Sequence, residues 1–270
     1  MAQVSIPEAY VAPMEHFAAG ITGLRLAFVN VFAVAHPDGS WTLVDAGLPF
    51  SSGLIGGWAE KRFRHPPTAI VLTHGHFDHV SAARELAEKW DVPIFAHPME
   101  FPYLTGKQSY PAPDFSAGGG MMSFLSPLYP KGPVDLGDRL QPFPTDQVQG
   151  SLMAMPNWTI LHTPGHTPGH VSFFRSTDRL MIAGDAFCTT KPESFFDAAI
   201  TQKPELHGPP AYFTQDWDAA SQSIQKLAEL DPLIVAPGHG KPLVGDGVAG
   251  QLRRLAEQFA TRGNDNRAAA

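Results

Sequence analysis

A mixed α/β fold is what this chain predicts, from three observations. Short apolar runs of strand length recur along it. Between them lie stretches whose apolar residues return every three or four positions, the period of a helix with one buried face. The boundaries are dense in turn formers, with 26 prolines and 25 glycines among 270 residues, which calls for many loops and short elements.

The elements follow in order. "LRLAFVNVFAVA" (24–35) and "WTLVDAG" (41–47) flank the turn signal "HPDGS" and read as a β-hairpin. "SSGLIGGWAEKRF" (51–63) is a helix weakened by glycine, and "TAIVLTH" (68–74) is a short buried strand. In "HVSAARELAEKW" (79–90), Val80, Ala83, Leu86, Ala87 and Trp90 fall on one helical face. "VPIFAH" (92–97) returns to strand, so the first part runs β-β-α-β-α-β. Strands are expected at 158–163, 170–176 and 179–185, then a helix over 214–230 with Trp217, Ala220, Ile224 and Leu227 on its apolar face. Another strand lies within "DPLIVAPGHG", and a last helix carries Val248, Leu252, Leu255 and Phe259.

Residues 98–156 break the pattern. They hold many aromatics, methionines, prolines and glycines with little periodicity, and a segment this long in a compact domain reads as a lid, a pocket wall or a subunit contact. The expected organisation is therefore one domain over 1–262, carrying this insertion, with 263–270 as a flexible tail.

Composition narrows the function classes. The hydrophobic fraction of 43% supports a core, and 17% charged residues is too few for a disordered chain. A net charge of −7 argues against nucleic acid as a partner. One cysteine, Cys188, excludes an internal disulfide and a thiolate zinc cluster. The first residues lack a basic start followed by an apolar core, and no apolar run reaches the roughly 18 residues of a membrane span. These features point to a soluble cytoplasmic protein, for which a homodimer is allowed.

Histidine and aspartate cluster at four places, each just after an expected strand: "THGHFDH" (73–79), "TPGHTPGH" (163–170), "AGDAF" (183–187) and "APGHG" (236–240). Crowded imidazoles gain nothing in an ordinary loop but much around a cation. Loops after parallel or mixed strands converge on one sheet edge, so donors distant in sequence can meet there. Histidine with carboxylate and no thiolate suits catalytic Zn²⁺, Fe or Mn rather than a purely structural zinc.

The ordered set H-x-H-x-D-H, T-P-G-H-T-P-G, G-D and G-H-G resembles the metallo-β-lactamase superfamily from about residue 25 to 245. That resemblance implies a four-layer αββα sandwich and a dinuclear site, two Zn²⁺ per chain with Fe or Mn as alternatives. It places His74, His76 and His166 on the first metal, and Asp78, His79 and His239 on the second. Asp185 resembles the carboxylate that bridges them, a feature of hydrolase branches such as glyoxalase II and the acyl-homoserine lactonases. Asp45 matches an aspartate that supports the site from behind the ligands. His170, four residues after His166, is assigned a supporting or structural role rather than ligation. His162 reads as an ordinary hydrogen-bonded histidine, and His16, His36, His65, His97 and His207 have no motif support.

The chemistry implied is hydrolysis of an ester, lactone or thioester of a moderately apolar small molecule. Two cations roughly 3.5–4 Å apart share a bridging hydroxide as nucleophile, and Asp78 orients it and passes a proton to the leaving group. Phe115, Met121, Met122, Phe124 and Tyr129 of the insertion, with Cys188, are candidate pocket residues, although Cys188 also reads as core. Two departures matter. Only about 30 residues follow His239, without the basic signature of a glutathione-binding domain, and Cys188 stands where the lactonases carry a tyrosine. Tyr103, Tyr110, Tyr129 and Tyr212 are the candidates to replace it. β-Lactam hydrolysis, a mononuclear iron persulfide dioxygenase and a non-catalytic binding protein remain as alternatives.

Overall fold

The computed structural model describes residues 11–132, 134–143, 154–201 and 203–268. The start of the chain and residues 144–153 of the insertion therefore lie outside the described residues, as do the side chain of His16 and the side chains of the tail. The fold is mixed α/β, with two sheets and, among the described residues, seven α-helices. It divides into two compact units. One comprises residues up to 110 together with 130–158, and the other comprises 111–129 and 159 onward.

The first unit is built on a seven-stranded sheet whose spatial order follows the chain. Its strands are β1 (Val11–Ala18), β2 (Ile21–Leu26), β3 (Val29–Ala35), β4 (Trp41–Val44), β5 (Ile70–Val71), β6 (Ile94–Ala96) and β7 (Leu140–Pro142). β1 to β4 are antiparallel, and β4 to β7 are parallel. Parallel pairing needs crossovers, and helices α1 (Ser52–Glu60) and α3 (Ala83–Trp90) lie in the first two, β4 to β5 and β5 to β6. Trp41 is buried at the base of this sheet, stacked on Phe63 at 4.3 Å and edge-on to Trp90 at 5.8 Å.

Three local features differ from the sequence reading. The run 24–35 is two strands, because the chain reverses between paired Leu26 and Val29 through Ala27 at φ +56°. No Gly, Asn or Asp marks that turn. β1 was not anticipated: it is an edge strand with Pro13 inside it and an irregular register between Met14 and Ala18. The helix expected over 79–90 is broken into α2 (Phe77–Val80) and α3. The backbone N–H groups of Ser81 and Ala82 donate to the carbonyls of Gly47 and Ala46, both at 3.2 Å, instead of to the preceding turn. Ala46 N–H in turn donates to the His79 carbonyl at 2.6 Å, so the loop after β4 grips the loop after β5.

Among its described residues the insertion carries regular elements. It holds α4 (Phe101–Leu104), α5 (Met121–Leu125) and β7, which extends the parallel edge of the first sheet.

The second unit carries a five-stranded sheet in the order β12-β11-β10-β9-β8. The strands are β8 (Thr159–His162), β9 (Val171–Arg175), β10 (Leu180–Gly184), β11 (Ile234–Pro237) and β12 (Leu243–Val244). β10 and β11 are parallel, the other pairs antiparallel. Helices α6 (Trp217–Ala228) and α7 (Gly247–Ala268) close one core with the sheet, through Phe174, Met181, Ile224, Leu227, Leu252 and Phe259. Asp216 caps α6, its side chain accepting the Ala219 N–H at 2.9 Å. Replacing that cap, Asp216→Ala, should lower stability by about 1 kcal/mol in urea unfolding.

Candidate metal centre

In the first unit the candidate donors leave β5 and enter α2. β4, β5 and β6 are parallel, so the residues after each emerge at one sheet edge. That edge carries Asp45, the His74–His79 loop and the segment after β6. His74, His76, Asp78 and His79 are all buried. His74 Nε2 lies 3.1 Å from His76 Nδ1, and Asp78 Oδ2 lies 3.9 Å from His79 Nε2.

Hydrogen bonds fix which nitrogens face inward. Asp45, at φ +61°, accepts from Thr73 N–H and Thr73 O–H, both at 2.8 Å. Its Oδ2 also lies 2.8 Å from His79 Nδ1. The carboxylate makes His79 Nδ1 the protonated nitrogen and leaves Nε2 as a lone pair. Thr73 O–H is already committed to Asp45, so its oxygen accepts from His74 Nδ1 at 3.0 Å, and His74 Nε2 is likewise unprotonated.

In the second unit the chain brings three further candidates to one edge. β10 and β11 are parallel and β8 runs in the same direction, so their C-terminal ends coincide. His166 follows β8, Asp185 follows β10 and His239 follows β11, and all three are buried. Asp185 Oδ2 lies 3.0 Å from His239 Nε2 and 3.5 Å from His166 Nε2. His166 Nδ1 lies 3.3 Å from Thr214 Oγ1, whose own proton goes to the Pro210 carbonyl at 2.8 Å. The Nδ1 proton therefore points to Thr214, and Nε2 turns a lone pair toward the Asp185 carboxylate. Gly165 has φ +133°, and a side chain there would overlap the backbone of Ala220 in α6, which accounts for glycine before His166.

His170 uses both ring nitrogens. Nδ1 faces Thr163 Oγ1 at 2.8 Å, and Nε2 accepts the backbone N–H of Asp185 at 2.9 Å. Its bonds hold the turn that carries Asp185. His162 Nε2 bonds the Pro168 carbonyl at 2.8 Å, and His36 Nε2 bonds Thr42 Oγ1 at 2.9 Å. His65 is exposed and bonds two carbonyls, and His97 caps the helical turn at Pro98 by accepting Met99 N–H. His207 is half-buried, and burial holds its pKa below the usual histidine value.

These arrangements fit a cation. Two imidazole nitrogens on one tetrahedral Zn²⁺ at about 2.0–2.1 Å sit roughly 3.3 Å apart, close to the His74–His76 separation. A lone pair turned on a buried carboxylate, as His166 presents to Asp185, calls for a positive charge between them. His74, His76, Asp78 and His79 of the first unit, and His166, Asp185 and His239 of the second, each offer a buried atom able to ligate a metal ion.

The candidate pocket residues separate by environment. Met122 and Cys188 are buried, whereas Phe115, Met121 and Phe124 stand exposed in the second unit. Tyr129 O–H donates to Met122 Sδ at 3.3 Å. Cys188 pairs backbone to backbone with His207. Tyr110 O–H donates to Glu100, and Tyr103 stacks on Tyr110 at 3.9 Å. Sequence reasoning overlooked Thr73, Thr163, Thr214 and Glu100. The first two stand beside the ligand motifs and were findable from that position; the other two reach the site from distant segments.

The sequence model of the metallo-β-lactamase superfamily matches residues 24–239. The chain is 43% identical over 248 residues to a probable metallo-hydrolase of Bacillus subtilis (strain 168), YflN, covering 90% of this chain and 92% of that one. A solved structure, TTHA1623 in a di-iron-bound form, aligns with a TM-score of 0.55 at 25% identity, over 84% of this chain and 93% of that one. A β-lactamase domain protein from Burkholderia ambifaria aligns with a TM-score of 0.64 at 20% identity, over 99% of this chain and 82% of that one. The two structural likenesses establish the same two-sheet α/β fold.

Proposed function

The chain belongs to the metallo-β-lactamase superfamily, and on that footing we propose that it is a metal-dependent hydrolase with a dinuclear centre. His74, His76 and His166 would hold one divalent cation, and Asp78, His79 and His239 the other, with Asp185 shared. Zinc is the first choice, and iron or manganese suits the same donors.

One observation carries this reading: a single carboxylate oxygen, Asp185 Oδ2, faces the ring nitrogens of both His166 and His239. That is the disposition of a ligand shared between two ions. When bound, the cations would ionise a water near neutral pH and polarise the scissile carbonyl. The chain's own groups do the positioning. Asp45 and Thr73 hold the tautomers of His79 and His74, and Thr214 holds that of His166. His170 keeps the backbone of Asp185 in register. Asp78 is the carboxylate to carry a proton from the nucleophile to the leaving group. Phe115, Met121, Phe124 and Tyr129 are the candidates to receive a moderately apolar acyl group, and an ester, lactone or thioester is the proposed substrate class.

Among the described residues, no helix is long and apolar enough to cross a membrane.

The reading is tested by metal content and a substrate panel. Purified protein should carry two cations per chain by mass spectrometry. Dipicolinate should abolish hydrolysis of p-nitrophenyl esters, lactones or acyl thioesters, and added Zn²⁺ should restore it. A chain that takes up one iron and consumes oxygen with persulfide, or one that retains no metal, overturns the proposal.

A further inference from the structure

The segment leaving β6 emerges at the same edge as the His74–His79 loop and places a buried acid behind it. Glu100 is fully buried. Its Oε2 accepts the backbone N–H of Gly75 at 2.9 Å and also the hydroxyl of Tyr110. Gly75 stands between the two histidines whose ring nitrogens lie 3.1 Å apart. Tyr110 meets the ring of His76 edge-on at 4.6 Å and is itself stacked on Tyr103 and tied by its N–H to the Lys131 carbonyl at 2.9 Å. A Cβ on Gly75 would overlap Tyr110 Oη and come within 3.1 Å of Glu100 Oε2 and Leu104 Cδ2. The glycine of H-G-H is therefore required by what packs behind it, not only by its own backbone.

We propose that Glu100 and Tyr110 form a clamp on Gly75 that sets the spacing of His74 and His76, and with it the affinity for the first cation. This rests on the metal reading above. Glu100 and Tyr110 are positioning residues, acting through Gly75 and His76. A buried carboxylate is costly unless its oxygens are bonded, so the same two bonds that satisfy Glu100 also fix the loop. The Tyr110 hydroxyl is committed as a donor to Glu100, which holds its ring against His76. That commitment removes Tyr110 from the candidates for proton donor to a leaving group.

The test is zinc affinity of the full chain, measured by competition with a chromogenic chelator. The Co²⁺ absorption spectrum reports ligand geometry, and the melting temperature of the metal-free protein is followed alongside. Glu100→Ala should weaken zinc binding by about 10–100-fold, the usual cost of losing a group that orients a ligand. Glu100→Gln should recover most of that affinity, because one amide oxygen can accept both bonds that Oε2 now accepts. Gly75→Ala should lose affinity through its clash with Tyr110, and Gly75→Ala/Tyr110→Phe should regain part of it by removing the hydroxyl.

Wild-type affinity and spectrum in Glu100→Ala and Gly75→Ala would overturn the clamp. So would a loss that follows metal-free stability alone, with no recovery in Glu100→Gln or the double variant. If Glu100→Ala does not fold, Tyr110→Phe and the two rescue variants carry the same decision. A wild-type chain that binds neither zinc nor cobalt overturns the metal reading and the clamp with it. Zinc binding by wild type with all variants unaffected overturns the clamp alone.

Discussion

Asp185→Ala is expected to lose the second cation and at least about 100-fold of hydrolytic rate together, beyond the range seen when only a supporting partner is removed. The reason is local. Oδ2 faces His239 Nε2 at 3.0 Å and His166 Nε2 at 3.5 Å, so one truncation withdraws the negative charge from both imidazoles. The turn itself should survive. His170 holds Asp185 through its backbone N–H, which alanine keeps, and Gly238 N–H still donates to the Gly184 carbonyl at 2.8 Å. Metal content should therefore fall toward one ion per chain with the fold intact by circular dichroism. Asp185→Asn should lie between, because its amide oxygen can still coordinate but brings no charge. Two ions per chain with unchanged turnover in Asp185→Ala would remove the basis for a shared ligand.

The candidate donors stand out in the sequence because each is part of a short cluster directly after a strand, and the period-2 and period-3.6 patterns place those strands and helices. What was not legible has identifiable physical causes. The reversal at Ala27 uses a residue that seldom adopts positive φ, so no turn signal exists. The break between α2 and α3 comes from Gly47 and Ala46 taking N–H groups that the apolar spacing alone assigns to a continuous helix. β7 is only three residues long and ends in proline, which a pattern search passes over. The partners of the donors are the largest gap. Gly75 and Glu100 are 25 residues apart and His166 and Thr214 are 48 apart, and no periodicity links positions across such distances. A mixed α/β class follows from local pattern; the arrangement that fixes a tautomer follows from which strand ends share an edge.

Asp45 offers the sharpest separation of folding from metal binding. Its carboxylate takes three donors, Thr73 N–H on Oδ1, and Thr73 O–H and His79 Nδ1 on Oδ2. Asp45→Ala orphans buried donors at about 1–3 kcal/mol each, so it should cost several kcal/mol of stability as well as metal affinity. Asp45→Asn is more informative. Either orientation of the amide sets one NH₂ donor against an existing donor. The Thr73 backbone N–H cannot change, but an imidazole can move its proton. The amide oxygen should therefore stay on Thr73 N–H, leaving the NH₂ opposite both Thr73 O–H and His79; the hydroxyl can rotate its proton away, but His79 must move its proton from Nδ1 to Nε2. That nitrogen is the one beside Asp78 Oδ2, at 3.9 Å, and a protonated Nε2 cannot ligate. Asp45→Asn should thus lose less stability than Asp45→Ala in urea unfolding, yet weaken zinc binding by about 10–100-fold in the chelator competition. Zinc affinity equal to wild type in Asp45→Asn would mean that His79 Nε2 is not a metal ligand, and the second cation would have to be placed without it.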